Sequence, residues 1–291
     1  MNVINLIKQK MIKTPWTKYY KKEERKIKLE DISIYETLEK NSTERKRNIA
    51  INYYGRQITY KELLYKINQA ANAFRSQGIR RGDVVTICMP NTPEALISFY
   101  ALNKIGAIAN MIHPLSGEQE IKEYLISTHS VMLIMIDICY EKVKNIIKET
   151  QVYKTIVTSA ADSMKFLLTF GYQITQGYKI KKPKRSEEYV YWKDFIRKGL
   201  NYQDNQAVHT GKDTPAVILH SGGTTGTPKG IVLTNGNFNA LSKQAKIVFK
   251  DVTIGTKILA IMPIFHGFGL GVSINAPLAL GCEVILIPQF N

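Results

Sequence analysis

Between residues 84 and 157, short apolar runs alternate with segments of helical pattern, and this alternation limits the possible folds more than any other feature. The runs 84–88, 107–112, 131–136 and 155–157 have strand length and are rich in Val, Ile and other apolar side chains. Between them, Thr92 is placed to cap a helix that starts at Pro93 and that Gly106 ends. Ser116 and Gln119 have the spacing to cap a second helix running to Ser127, and residues 141–148 read as a third. Strands joined through helices pair in parallel, and a parallel sheet needs helices on both faces. The expected class is therefore α/β, with mostly parallel βαβ sheets flanked by helices.

Upstream, Ile34 and Leu38 mark a short helix, and residues 49–53 and 57–59 flank Gly55 as a hairpin. Thr59 and Glu62 have capping-box spacing ahead of the stripe Leu63, Ile67, Ala70, Ala71 and Phe74, which Gly78 ends. Residues 1–30 read as a basic N-terminal tail and 31–158 as a first α/β subdomain. The rhythm breaks over 159–212, an insertion or linker, and 213–291 read as the start of a second α/β subdomain. Within the insertion, apolar residues from Leu167 to Ile174 precede the cationic run YKIKKPKR. A packed crossover with a solvated basic end is the plain reading of that pairing. It also leaves open peripheral contact with an anionic membrane surface.

The 291 residues are 44% hydrophobic and 22% charged, a globular composition. Cys88, Cys139 and Cys282 are widely spaced and odd in number, and no secretory signal precedes them, so a cytoplasmic protein without disulfides is expected. The longest apolar stretch, 95–112, is interrupted by Asn103, Lys104 and Gly106, which fits a buried helix and strand better than a membrane span. A net charge of +16 invites a nucleic-acid reading. Residues 201–291, however, hold six lysines, no arginine and four acids, a net of +2 that leaves +14 for the first 200 residues. Most of the surplus lies in 21–28, 45–47 and 179–185, runs that read as solvated faces, so no specific nucleic-acid partner is expected.

The densest chemistry lies at Ser221, Gly222, Gly223, Thr224, Thr225, Gly226, Thr227, Pro228, Lys229 and Gly230. Apolar runs at 216–219 and 231–233 bracket it, so the loop is expected to join two strands. Glycines allow backbone N–H groups to turn toward an anion at close range, hydroxyls donate to phosphate oxygens, and an ammonium neutralises them. A surface turn would need neither four hydroxyls nor the lysine. The spacing differs from the G-x-x-x-x-G-K-[ST] loop, because Gly230 follows Lys229 and no helix starts at once. Downstream, Thr234 is placed to cap a helix, residues 257–261 read as a strand, and MPIFHGFGLG follows. Its glycines do not fit G-x-G-x-x-G. His266 stands at a strand end, where a sheet of this class places its ligands. His113, His129, His209 and His220 are too scattered for a metal site and receive no ligand role.

SGGTTGTPKG resembles the signature loop of the adenylate-forming enzymes, a superfamily that includes acyl-CoA synthetases, luciferases and adenylation domains. One position departs: Gly222 stands where the family more often has a second hydroxyl. IMPIFHGFGL resembles a second family motif, and GRQITYKEL, the run from MPNTPEAL to IHPLS, and LGCEVILIP resemble family sequence from about residue 34 onward. The stretch from SAADSMKF to KIKKPK is most similar to bacterial long-chain acyl-CoA synthetases. The resemblance implies the N-terminal part of that fold, truncated, and an AMP-forming acid–CoA ligase acting on a carboxylic acid, here a fatty acid.

It further implies ATP and Mg2+ as cofactors and CoA as co-substrate. Ser221, Gly222, Gly223, Thr224, Thr225, Gly226, Thr227 and Lys229 would hold the phosphates, with Lys229, Thr224 and His266 in catalytic roles. His266, Gly267 and Phe268 would border the acid, and no protein metal site is assigned. The family's later motifs, which supply a magnesium-holding acid, a ribose-binding aspartate and a C-terminal lysine, are not found before Asn291. The 291-residue polypeptide alone is therefore expected to be weakly active at best. A non-catalytic scaffold keeping the acyl-binding half, and an adenylation domain serving a carrier protein, remain the alternatives.

Overall fold

The computed structural model describes residues 18–21, 24–25, 27–202, 206–221 and 229–288. Most of the expected basic tail lies outside these residues, as does the connection 222–228. After helix α1 (Ile34–Ser42) come the hairpin β1 (Ile49–Tyr53) and β2 (Arg56–Thr59), then α2 (Tyr60–Ser76) and β3 (Val84–Cys88). Next are α3 (Pro93–Lys104), β4 (Ile108–Ile112), α4 (Glu118–Ser127), β5 (Met132–Ile136), α5 (Tyr140–Ile146) and β6 (Lys154–Thr158). Helix α6 (Phe166–Thr175), β7 (Tyr189–Tyr191) and α7 (Trp192–Gly199) precede the pair β8 (Pro215–Ser221) and β9 (Lys229–Thr234). Helix α8 (Asn235–Val248), β10 (Lys257–Ala260), a π-helix (Phe268–Asn275), α9 (Ala276–Leu280) and β11 (Glu283–Leu286) complete the described chain.

The strands form a seven-stranded sheet in the order β7-β6-β5-β3-β4-β8-β9 and a four-stranded sheet in the order β10-β11-β1-β2. In the larger sheet every pairing is parallel except β8 with β9. Side chains of a strand alternate between faces, and β5 shows the consequence. Met132 and Ile134 belong to the core shared with α2 and α3, whereas Leu133 and Met135 belong to a second core beneath α4 and α5. The expected helix-covered parallel sheet is therefore present.

Local signals hold at most helix ends. The side chains of Thr59, Thr92 and Thr234 accept from the backbone N–H of Glu62, Ala95 and Asn237. Gly106 ends α3 with φ +76°, a conformation that a side chain would strain. Ser116 does not cap α4, which starts one residue beyond Gly117 with no side-chain cap.

Two larger expectations are corrected. The sheets do not divide at residues 158 and 213: β8 and β9 extend the sheet that begins with β3, while β10 and β11 join β1 and β2. Parallel pairing of β1 with β11 can only close once both ends of the described chain are in place. The stretch 159–212 is more than a linker, because β7 is the sheet's edge strand and α7 packs on α2. Gly199 lies so close there that a Cβ would fall 2.5 Å from the backbone N of Ala73. Cys88 and Cys139, 51 residues apart, meet with sulfurs 3.8 Å apart as free thiols. Among the described residues, no helix is long and apolar enough to cross a membrane.

Candidate functional site

A cleft of about 400 Å³ opens at the carboxyl ends of β4 and β8, the edge at which parallel sheets present ligand-binding loops. Its walls include His113 just past β4, Glu120 and Tyr124 from α4, His220 near the end of β8, and Phe265 and His266 after β10. The pair β8–β9 bears out the expected strand-loop-strand arrangement. Ser221 stands opposite Lys229 and His220 opposite Gly230, which anchors both ends of the connection 222–228 at the cleft's edge. Gly222, Gly223, Thr224, Thr225, Gly226 and Thr227 lie outside the described residues. Lys229 is exposed. It is not among the described residues that line the cleft, so the described residues do not bring Lys229 and His266 into one cavity.

The segment carrying His266 is positioned by Asn91, in the loop before α3. Its side-chain amide donates to the carbonyls of Ala260, 2.9 Å, and Met262, 3.0 Å, and its oxygen accepts from the N–H of Ile264, 2.7 Å. The backbone then turns, with His266 N–H donating to Pro263, and enters the π-helix. A Cβ on Gly269 would overlap the Pro263 carbonyl, so only glycine lets this turn close. π-turns are rare and concentrate at functional sites. His266 and Phe268 nevertheless diverge. His266 lines the cleft, while Phe268 lines a separate apolar hollow of about 210 Å³ with Phe249 and Ile258. Gly267 packs beside Leu219 of β8, a Cβ there falling 3.6 Å from Leu219 Cδ1.

Two cleft histidines have defined tautomers. The amide of Asn110 donates to the hydroxyls of Thr86 and Thr128, so its oxygen is the atom facing His220 and must accept from His220 Nε2–H at 2.7 Å. That leaves His220 Nδ1 as an acceptor, buried and without a partner among the described residues. Burial, opposed by Glu120, lowers its pKa and keeps the ring neutral. The His113 Nδ1 accepts from the Leu115 N–H at 2.8 Å, which puts the proton of the neutral ring on Nε2. Burial first, and then the neighbouring His266, lower the His113 pKa. Glu120 is held below the usual carboxylate range chiefly by the Tyr124 hydroxyl donating to it at 2.6 Å. His113, His220 and Glu120 thus give the cleft two neutral imidazoles and a charged carboxylate at neutral pH.

Sequence spacing gave His113 and His220 no role, yet both line the cleft. A signal was available: His113 directly follows one apolar run and His220 directly follows another, both at strand carboxyl ends. Among the described residues no group of three or more His, Cys, Asp or Glu side chains is placed to hold a metal.

A family profile described as "AMP-binding enzyme" matches residues 38–291. The long-chain-fatty-acid–CoA ligase of Bacillus subtilis is 29% identical over 247 residues, covering 83% of this chain and 44% of that protein. The acetyl-coenzyme A synthetase of Yersinia pseudotuberculosis is 30% identical over 221 residues, covering 74% of this chain and 32% of that protein. In structure, an anthranilate CoA ligase in complex with anthranoyl-AMP superposes with a TM-score of 0.74 at 22% identity, over 89% of this chain and 46% of that one. A long-chain-fatty-acid-CoA ligase from Archaeoglobus fulgidus gives 0.74 at 21%, over 91% and 49%. The chain spans less than half the length of these relatives. With a profile match from residue 38 to residue 291, the chain belongs to the AMP-binding enzyme family.

Proposed function

We propose that the chain supplies the nucleotide-phosphate loop and acid-facing wall of an AMP-forming acid–CoA ligase whose acid is a fatty acid. The observation that carries this reading is the strand pair β8–β9. It fixes both ends of a loop of four glycines, four hydroxyls and Lys229 beside a cleft that also receives His266. A carboxylate oxygen of the acid would bond to the α-phosphorus of ATP as the bond to pyrophosphate breaks, giving an acyl-adenylate. The thiolate of CoA would then attack the acyl carbonyl and AMP would leave.

The protein's task in the first step is alignment and charge neutralisation. Ser221, Gly222, Gly223, Thr224, Thr225, Gly226, Thr227 and Lys229 would hold the departing phosphates, with Thr224 and Lys229 neutralising the charge that develops. His266, with Gly267 and Phe268, would border the acid. Mg2+ takes oxygen ligands and is held largely through substrate phosphates, so it would enter the site with the nucleotide. It would supply further neutralisation of the phosphate charge. Two observations support a fatty acid: the apolar hollow at Phe268, and the similarity to the B. subtilis ligase across most of the chain.

Titration with MgATP and with a fatty acyl-sulfamoyl-adenosine, a stable mimic of the acyl-adenylate that lacks the pyrophosphate, tests the assignment. Lys229→Ala is expected to weaken MgATP at least tenfold, the loss of one charge-assisted contact of about 1.5–3 kcal/mol, and to leave the mimic unaffected. His266→Ala is expected to weaken the mimic more than MgATP. Unchanged MgATP affinity in Lys229→Ala would remove the phosphate role.

A further inference from the structure

Helix α6 reads FLLTFGYQIT, ten residues without a charge, and none of them is buried. Phe166 is 83% exposed, Leu167 80%, Phe170 61% and Ile174 57%. At 100° per residue these four fall within one arc of about 100°, a single apolar face. Isolated exposed apolar side chains are ordinary on a protein surface, but a contiguous aromatic and aliphatic face marks a docking surface.

What surrounds the face identifies its partner. From Lys165 to Ser186 the chain carries six cations, Lys165, Lys179, Lys181, Lys182, Lys184 and Arg185, and no acid. The basic run is pinned beside the helix. Lys182 Nζ lies 3.1 Å from Asp137, whose side chain is only 1% exposed, and Tyr191 donates to the Pro183 carbonyl at 2.8 Å. The approach to the helix is pinned too, since Tyr53 donates to Ala160 and Ser163 donates to the buried Glu94. The apolar face and its cations are therefore displayed together from fixed points. Helix α6 follows the carboxyl end of β6, which runs parallel to β4, so it stands at the same edge of the sheet as the cleft.

We propose that α6 and the run from Lys179 to Arg185 form a docking face for an anionic lipid bilayer surface. The helix lies in the plane of the interface, with Phe166, Leu167, Phe170 and Ile174 entering the acyl region while the cations meet the headgroups. A protein groove would account for the apolar face alone; an anionic interface accounts as well for the exposed cations beside it, Lys165, Lys179 and Lys184, while Lys181, Lys182 and Arg185 also face Glu141, Asp137 and Asp194. The docking stands apart from the ligase reading, because its test uses no nucleotide.

Co-sedimentation with vesicles of phosphatidylcholine and phosphatidylglycerol, against pure phosphatidylcholine, reads it directly. The purified protein is expected to bind the mixed vesicles at least tenfold more tightly at low salt, with the preference falling as salt rises. The Leu167→Glu/Phe170→Glu and Lys179→Glu/Lys184→Glu variants are each expected to lose at least tenfold. These positions are exposed, so circular dichroism and thermal melting should match the parent. Hydrogen exchange at 166–175 is expected to slow only when vesicles are present. Equal binding by the parent and Leu167→Glu/Phe170→Glu would overturn the proposal. So would amides at 166–175 already protected without vesicles, which would mean that protein covers the helix.

Discussion

Glu94 lies in the first turn of α3, fully enclosed, with one carboxylate oxygen accepting from Ser163 and the other without a partner among the described residues. Burial pushes its carboxyl up to about 7, and Asp162 adds to the effect while the Ser163 hydroxyl opposes it. In the unfolded chain a glutamate titrates near 4.3, roughly. Between those two values the folded state keeps a proton that the unfolded state has released. Stability therefore falls as pH rises through this window and levels off above it. Glu94→Gln can still meet Ser163 and cannot ionise. The variant is expected to exceed the parent at about pH 7.5 by on the order of 3 kcal/mol, with most of the gap gone by about pH 5. Urea unfolding at the two pH values checks this. A gap that stays constant would mean that water reaches the carboxylate.

At the scale of elements, Asn91 ties the loop before α3 to the segment leaving β10, with three hydrogen bonds from a residue that is 2% exposed. Asn91→Ala would take a partner from the Ile264 N–H and the Met262 carbonyl, while the Ala260 carbonyl keeps the Ile287 N–H, and is expected to cost about 1–3 kcal/mol. Asn91→Asp keeps the bond from Ile264 but turns a buried carboxylate oxygen toward two carbonyls, so at neutral pH a midpoint in urea below that of Asn91→Ala is expected. Equal midpoints for both variants would sink this account.

Asn91 also marks the limit of what the sequence reveals. The caps at Thr59, Thr92 and Thr234 were legible because a cap and its N–H lie three residues apart, and the strand pair around the phosphate loop because apolar runs bracket it. Nothing local signals a clamp whose partners are 169 and 171 residues away. Strand β7 is only three residues long and follows a basic run, too short for period-2 patterning to show. His113 and His220 were passed over for the same reason as Asn91: their common cleft exists only once β4 and β8 pair. For Ser116, the capping-box spacing was present but Gly117 took the position.

For the molecule as a whole, the decisive contact is between β1 and β11, with Ile51 beside Val284 across 233 positions of chain. That pairing builds the smaller sheet from the two ends of the described fold, and one continuous core runs from Ile51 and Val284 to Ile134 of the larger sheet. Packing shared in this way should make the sheets unfold together, although residues 31–158 read as a subdomain of their own in sequence. Ile51 is fully buried in the small sheet, and Ile51→Ala is expected to cost about 3 kcal/mol through lost burial and the cavity left behind. Trp192, packed against Phe195 near α2, reports on the far side of the larger sheet. In a Trp16→Phe background, Ile51→Ala is expected to move the Trp192 fluorescence midpoint and the far-ultraviolet dichroism midpoint by the same amount. A fluorescence midpoint that stays put while dichroism shifts would mean that the two sheets are separate folding units and that the shared core does not couple them.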